Sequence, residues 1–314
     1  MPGVASPEEF QRAVDACDIT ASRLTIDPAA LAAARQSLDQ SGLLLLGEVY
    51  GVRQNPELAR ELMAALDVTG LALEWPATLA GAVSGFFSDG QVPDQPQLWS
   101  GDGRITAGHF ALLRERFLAG RLHALTLFDG VDEIGWSQCE SAMAERILNA
   151  ARPGTRTLVV AGNAHTALTP TMLGVPLGAR LAEWRPGVRE IKIRYGSGSY
   201  YHRAPQQFEH QFSLRRRARL SAEGAALILD LPGPVQADVP HRTATVEPGY
   251  PDFPHYQAPP VDQPGITADQ PGITADHPVP PQTAPLPRRS PGAGMPADPS
   301  PGRHNPYQPG LTPR

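Results

Sequence analysis

The sequence predicts an α/β fold with a mostly parallel sheet flanked by helices, a short antiparallel edge and a disordered, proline-rich C-terminal tail. Three observations lead to this prediction. Apolar runs typical of buried strands alternate four times with segments of helical periodicity, which favours right-handed crossovers and parallel strands. Shorter alternating runs follow residue 190. Residues 251–314 contain 18 of the 34 prolines and almost no core-forming side chains.

Each of the four predicted parallel strands leads to a polar side chain. Residues 43–46 are four consecutive leucines, too short a run for a free-standing helix but suited to a strand buried on both faces. Glu48 follows at the carboxyl end of this strand. The runs at 71–74, 124–129 and 158–161 lead in the same way to Glu74, Asp129 and His165. Ligands bind outside the carboxyl ends of parallel strands, so we expect these four side chains to share one rim.

Helix start and stop signals separate these strands. Asp27 and Pro28 are typical of a helix start and Gly42 of its end. Further helices are expected to begin near Asn55, Pro76, Thr106 and Ser137, each with apolar residues at helical spacing. The runs at 191–195, 199–202 and 225–230 are expected to form the antiparallel edge.

The chain is expected to have three parts. Residues 1–25 carry little periodicity and are predicted to be a flexible lead-in, and residues 26–250 are long enough for one α/β domain. Residues 251–314 include a tandem repeat at 262–268 and 269–275, and they lack the apolar groups that would offset the entropy of ordering. A protein partner that docks on this proline-rich tail is an alternative role for it.

Composition disfavours several classes of partner. The net charge of −5 and the isoelectric point near 6.0 argue against nucleic acid, and the one dense basic run, residues 215–219, is interpreted as a solvated strand edge. Two cysteines are too few for a disulfide framework. With no basic, apolar leader and no run of about 18 apolar residues, we expect a cytoplasmic protein without a membrane partner.

Three side chains are candidates for acid–base chemistry. Two neighbouring buried carboxylates, Glu48 and Glu74, would raise the pKa of at least one of them, and His165 at the same rim is suited to activating water. The alternatives are that the acids cap helices or pair with arginine, and that the histidine is structural. Glu140 is ambiguous, because it completes a capping box with Ser137 but also shares a helical face with Met143 and Ile147.

Other polar residues near the expected rim are candidates for substrate binding. Asp102 and Arg104 lie at a helix start, where they pair with each other or contact a polar substrate, and His109 follows in the first turn. Asn163 sits in the turn before His165. The full set of candidates is Tyr50, Asp102, Arg104, His109, Asp129 and Asn163.

Three motifs resemble the landmarks of the erythromycin esterase and ChaN-like superfamily, which includes the Tiki proteases. They are Leu-Leu-Gly-Glu-Val-Tyr-Gly at 45–51, Leu-Ala-Leu-Glu-Trp-Pro at 71–76 and Val-Val-Ala-Gly-Asn-Ala-His at 159–165. The resemblance spans roughly residues 41–250 and implies a rim site made of Glu48, Glu74 and His165. Tyr50 stands where the family usually has histidine, and Cys139 and Glu140 stand where it often has an Arg-Asp pair.

The resemblance implies three kinds of chemistry, namely metal-free ester hydrolysis, metal-dependent proteolysis and haem binding. The leading hypothesis is a hydrolase of an ester or amide in a small-molecule substrate, with no cofactor required. In this hypothesis His165 is the base, Glu74 orients or polarises the reacting groups, and Glu48 holds the water or the leaving group. Tyr50 is a poor base and serves as a hydrogen-bond donor. The alternative is a haem- or divalent-metal-binding protein without turnover. A third is an inactive scaffold whose tail recruits partners.

Overall fold

The computed structural model of the chain describes residues 7–95, 102–130, 135–152, 154–202, 204–208 and 217–238. The predicted tail, its tandem repeat and Arg215 lie outside these residues. Within them the α/β fold class is confirmed, with a mostly parallel sheet, flanking helices and a short two-stranded antiparallel sheet.

The main sheet has eight strands in the order β1-β9-β10-β6-β2-β5-β3-β4, and β7 pairs with β8 in a separate hairpin. All neighbouring pairs in the main sheet are parallel except β9 with β10. The strands are β1 (Leu24–Ile26), β2 (Leu43–Glu48), β3 (Gly70–Pro76), β4 (Ala124–Asp129), β5 (Thr157–Gly162), β6 (Glu190–Tyr195), β7 (Gly198–His202), β8 (Ala204–Phe208), β9 (Ala218–Glu223) and β10 (Ala226–Leu231).

The helices cover both faces of the sheet. They are α1 (Pro7–Ala16), α2 (Pro28–Ser41), α3 (Asn55–Ala65), α4 (Ala80–Asp89), α5 (Ala107–Leu118), α6 (Trp136–Ala150), α7 (Asn163–Thr166) and α8 (Leu177–Trp184), with a 3₁₀ turn at Ala77–Leu79. The helix α2 begins at Pro28 and ends at Gly42, which adopts a left-handed conformation with φ of 77°, as its sequence signals predict.

Alternation along the central strands shows why the leucine run is a strand. Leu44 and Leu46 belong to the larger hydrophobic core, with residues of α1, α2, α3 and α5. Leu43 and Leu45 belong to a second core on the opposite face, with residues of α6 and α8. Every residue of β2 is buried, because successive side chains of a strand point to opposite faces and helices cover both.

Two expectations about the ends of the domain are corrected. Residues 7–16 of the expected lead-in form α1, whose Phe10 and Val14 are buried in the larger core, with Phe10 packed edge-on against Phe110. Residues 190–195 are not at an antiparallel edge, since β6 lies inside the sheet and is parallel to both β2 and β10. The apolar face of residues 7–16 was too short a pattern to reveal its packing partner.

None of the helices in the described ranges combines the length and the apolar character needed to cross a membrane.

Candidate active site

The carboxyl ends of three central strands bring the predicted acids and histidine together. Glu48 ends β2, Glu74 lies near the end of β3, and β5 between them leads into the turn that carries His165. The strands that carry Glu48 and Glu74 are not neighbours in the sheet, because β5 lies between β2 and β3. Glu74 spans this gap, since its Oε2 accepts a 2.9 Å hydrogen bond from the backbone N–H of Gly162 at the end of β5.

Glu74 is the centre of the polar network. Its Oε2 also accepts a 2.7 Å hydrogen bond from the Tyr50 hydroxyl. Its Oε1 lies 3.3 Å from a guanidinium nitrogen of Arg104 and 3.4 Å from Nε2 of His165. With its two oxygens shared among four donors, this buried carboxylate holds the other groups in place.

Arg104 joins three carboxylates. Besides Glu74, it contacts Asp102 at 2.6 Å and Asp129 at 2.7 Å. Burial opposes its charge, but the three carboxylates outweigh burial and raise its pKa well above the usual value. Burial also raises the pKa of Asp129, an effect that Arg104 partly offsets. Asp102 and Asp129 thus both pair with Arg104, and the pairing of Asp102 with Arg104 is one of the two alternatives predicted for them. A contact of these residues with a substrate stays a prediction.

His165 lies between two carboxylates. Its Nδ1 is 2.5 Å from Oε1 of Glu140, its Nε2 faces Glu74, and its ring stacks on Trp136 with centroids 4.8 Å apart. Burial alone lowers the pKa of His165, but Glu74 and Glu140 outweigh it and raise the pKa to about 9. This shift favours the protonated imidazole at neutral pH.

Glu140 is buried where α6 meets α7 and α8, and its contacts there bear on the two predictions made for it. The carboxylate is fully buried, and its Oε2 accepts a hydrogen bond from the backbone N–H of Leu177 at the start of α8. The capping-box alternative is wrong, because both oxygens bind groups outside α6. Burial raises the pKa of Glu140, while the contact with His165 opposes that rise.

Glu48 has a buried carboxyl oxygen that accepts no hydrogen bond within the described ranges. Its side chain is 5% exposed, and its Oε2 has no hydrogen-bond partner among the described residues. Burial and the charge of Glu74 raise its pKa to about 8, against a weaker opposing effect of Asn55. Glu48 thus combines a raised pKa with an oxygen that has no partner in the described part of the chain.

A small cavity adjoins Glu48. Its free volume of about 10 Å³ is enough for about one water molecule. It is lined by Glu48, Tyr50, Leu73, Glu74, Trp75, Arg104, His109 and Val160. Carboxylates, a hydroxyl and a guanidinium thus surround a space of the size of one water, which supplies the partners that a buried water needs.

His109 is at this cavity but is not exposed to solvent. Its Nδ1 is 3.1 Å from Oγ1 of Thr106, and its ring packs edge-on against Trp75. Burial lowers its pKa to about 4, so the imidazole is neutral at physiological pH. The side chain predicted to contact substrate therefore borders the water-sized space from inside the core.

Contacts with β2 and β6 fix the turn that carries His165. Asn163 and Thr166 pack against Gly47 of β2, where a Cβ would lie 2.8 Å from Asn163 Oδ1 and 2.5 Å from Thr166 Oγ1. The Thr166 hydroxyl donates to buried Glu190 at 2.8 Å. Asn163 therefore packs beneath the rim, and Gly47 leaves the space that this packing requires.

Sequence reasoning missed several supporting residues. Tyr195 donates to Asn55 at 3.0 Å and accepts from the backbone N–H of Val49 at 2.9 Å, which fixes the chain after Glu48. Trp136 stacks on His165, and His202 stacks on Tyr50. None of these residues lies in a motif, and contacts between distant parts of the chain bring them to the site.

The described residues around Glu74 were predicted, in the alternative hypothesis, to hold a metal ion or haem. No group of three or more His, Cys, Asp and Glu side chains in these ranges is arranged to hold a metal ion. The carboxylates that come closest together already share the guanidinium of Arg104. The hydroxyl of Tyr50 is bound to Glu74, and the adjoining cavity has room for about one water molecule and not for a haem.

Comparison with known proteins does not assign a family. No family model and no curated protein matches the chain. Among solved structures, it is similar to a chain described as "Bacterial protein toxins", at 18% identity and a TM-score of 0.36. The match covers 53% of this chain and 38% of that one, so this chain spans less than half of that structure's length. A likeness at this level carries no argument about fold or activity.

Proposed function

We propose that the protein is a hydrolase of an ester or amide bond in a small molecule, with Glu48 as the base that activates water. The observation that carries the proposal is the buried Glu48 carboxyl, which has an unpartnered oxygen and borders a water-sized cavity. A carboxylate in such a place is suited to hold a water molecule and accept its proton.

The role of His165 is revised from the sequence-based hypothesis. Its two carboxylate neighbours keep it protonated near neutral pH, which suits proton donation to a leaving group. Both pKa values are raised, to about 8 for Glu48 and about 9 for His165, so between these pH values Glu48 is largely ionised while His165 keeps its proton. Glu74, bonded on both oxygens, positions Tyr50, Arg104 and His165.

The reaction balances as follows. Ionised Glu48 takes a proton from water while the water oxygen bonds to the carbonyl carbon. The bond from that carbon to the leaving oxygen or nitrogen then breaks, and the leaving atom takes the proton of His165. The proton on Glu48 returns to His165 through solvent, and the products are a carboxylic acid and an alcohol or amine. Tyr50 and Arg104 line the cavity, and both contact Glu74, so they hold this carboxylate in position.

The proposal is tested with a panel of aryl and alkyl acetates and acetanilides. We expect the wild type to hydrolyse at least one of them, and Glu48→Gln and His165→Asn each to lower kcat by at least ~100-fold with the fold intact. Exposed residues give matched controls, Glu145→Gln on α6 and His123→Asn before β4, which should retain wild-type rates. A folded wild type that hydrolyses no member of the panel, or site variants with full activity, would contradict the proposal.

A further inference from the structure

An apolar surface adjoins the site on the side of α6 and α8. We define this apolar rim as Trp136, Met172 and Val175. Met172 is 94% exposed and Val175 is 39% exposed, and both lie in the segment between the turn of His165 and α8. Exposed apolar side chains in a segment that leads from a polar site are candidates for a binding surface.

The apolar rim is built onto the candidate catalytic histidine. Trp136 stacks on His165 with an interplanar angle of 15°. Thr171 and Gly174 exchange two backbone hydrogen bonds of 2.9 and 3.0 Å, and this turn carries Met172 at its tip. A Cβ on Gly174 would lie 3.5 Å from Cδ1 of Trp136, so the turn rests against the indole. The turn therefore contacts Trp136, and Trp136 contacts His165.

The size of the cavity determines where a substrate lies. The space beside Glu48 holds about one water molecule, so the body of a substrate must lie outside it. In the proposed reaction the leaving group receives the proton of His165. The leaving group is thus the part of the substrate nearest Trp136, which stacks on His165 and is contacted by the turn that carries Met172.

We propose that the apolar rim binds the leaving group, and that the substrate is an ester of an apolar alcohol or an amide of an apolar amine. This inference rests on the proposed hydrolase function. Burying a methylene against apolar side chains is favourable, and a half-buried one is expected to raise kcat/KM by about two-fold. Polar alcohols gain nothing at this surface, so the rim selects by hydrophobicity.

Alkyl acetates of increasing alcohol length test the inference, with acetate release followed by pH-stat titration. For the wild type we expect kcat/KM to rise from ethyl to butyl to hexyl acetate. Lengthening the acyl side instead, from ethyl acetate to ethyl hexanoate, should raise it much less. In Met172→Ser the ratio of hexyl to ethyl acetate should fall several-fold. Leu118→Ser, a 76% exposed leucine that ends α5 on the other face of the sheet, should keep the wild-type ratio.

A second measurement separates this inference from the proposed activity. Titration of the wild type with 1-hexanol, followed by the indole N–H signal of Trp136 in the NMR spectrum, should shift that signal, and Met172→Ser should weaken the shift. If no ester is hydrolysed but the signal shifts, the hydrolase proposal fails and apolar binding at the rim stands. If esters are hydrolysed with equal chain-length ratios in wild type and Met172→Ser, the inference about the rim is wrong.

Discussion

At the scale of single residues, the account depends on two side chains whose protonation is opposite to the usual one at neutral pH. Glu48 is buried with a spare oxygen, and its pKa is raised to about 8. His165 is held between Glu74 and Glu140, and its pKa is raised to about 9. A neutral acid and a charged imidazole thus coexist at pH 7 because each has a different environment.

These shifts predict how stability depends on pH. The pKa of Glu48 rises from 4.5 to about 8 on folding. The contribution of Glu48 to the free energy of unfolding is therefore complete below pH 4.5 and is lost as pH rises to about 8. The contribution of His165, raised from 6.5 to about 9, is complete below 6.5 and is lost as pH rises through 9. Both effects act in the same direction, so the free energy of unfolding should fall between pH 5 and 9.

Glu48→Gln isolates the first effect, because glutamine stays neutral. Relative to wild type, the variant should gain stability as pH rises from 5 to 9, by on the order of a few kcal/mol, measured by urea unfolding. Glu145→Gln, at an exposed position, should show a difference from wild type that does not vary with pH. A pH-independent difference for Glu48→Gln would show that Glu48 ionises normally in the folded state.

At the scale of elements, the junction of α6, α7 and α8 sets the charge of His165. Glu140 on α6 binds both His165 on α7 and the first backbone N–H of α8. In Glu140→Gln the negative charge is removed, so the pKa of His165 should fall below about 9 by at least about one unit. Titration of the His165 ring nitrogens by NMR measures this, with Glu145→Gln as the control from the same helix. An unchanged His165 pKa would remove Glu140 from the account.

The same junction also depends on close packing of α8 against α7. A Cβ at Gly178 would lie 2.2 Å from the backbone oxygen of Thr166, and backbone cannot move aside cheaply. Gly178→Ala should therefore destabilise the fold by about 1–3 kcal/mol. Gly85→Ala is the matched control in α4, because a Cβ there meets no atom within 4 Å. It should stabilise the fold by up to about 1 kcal/mol, and equal effects of the two changes would contradict this packing.

At the scale of the whole molecule, the prediction for the tail rests on its composition. Residues 251–314 carry few apolar anchors, so they can add little buried area. Deleting them should leave the thermal midpoint of the remaining chain nearly unchanged in a calorimetric scan. A fall of about 10 °C would correspond to several kcal/mol and would show that the tail contributes to the folded domain.

Local pattern predicted much of the fold. Sequence alone predicted the strand at 43–46, the helix between Pro28 and Gly42 and the polar ends of the strands. Each of these features depends on periodicity or on a start or stop signal. The order of the strands in the sheet could not be predicted from the sequence. The position of β5 between β2 and β3 depends on chain crossovers that leave no local signal.

The candidate site shows the same division. Sequence identified Glu48, Glu74, Glu140 and His165. In the structure Glu74 lines the same cavity as Glu48 and contacts His165, and His165 contacts Glu140. The direction of proton transfer that we propose could not be derived from the sequence, because it depends on which carboxylates flank His165 and on the unpartnered oxygen of Glu48. The partners Trp136 and Tyr195 come from distant parts of the chain, and only the folded structure brings them to the site.

The pH dependence of ester hydrolysis in wild type and Glu48→Gln tests the central claim most directly. If Glu48 is the base and His165 the acid, kcat/KM of the wild type should rise through about pH 8 and fall above about pH 9. In Glu48→Gln the rate should be at least ~100-fold lower, and the rise through pH 8 should be absent. A Glu48→Gln variant that keeps the wild-type rise would contradict the claim that Glu48 activates the water.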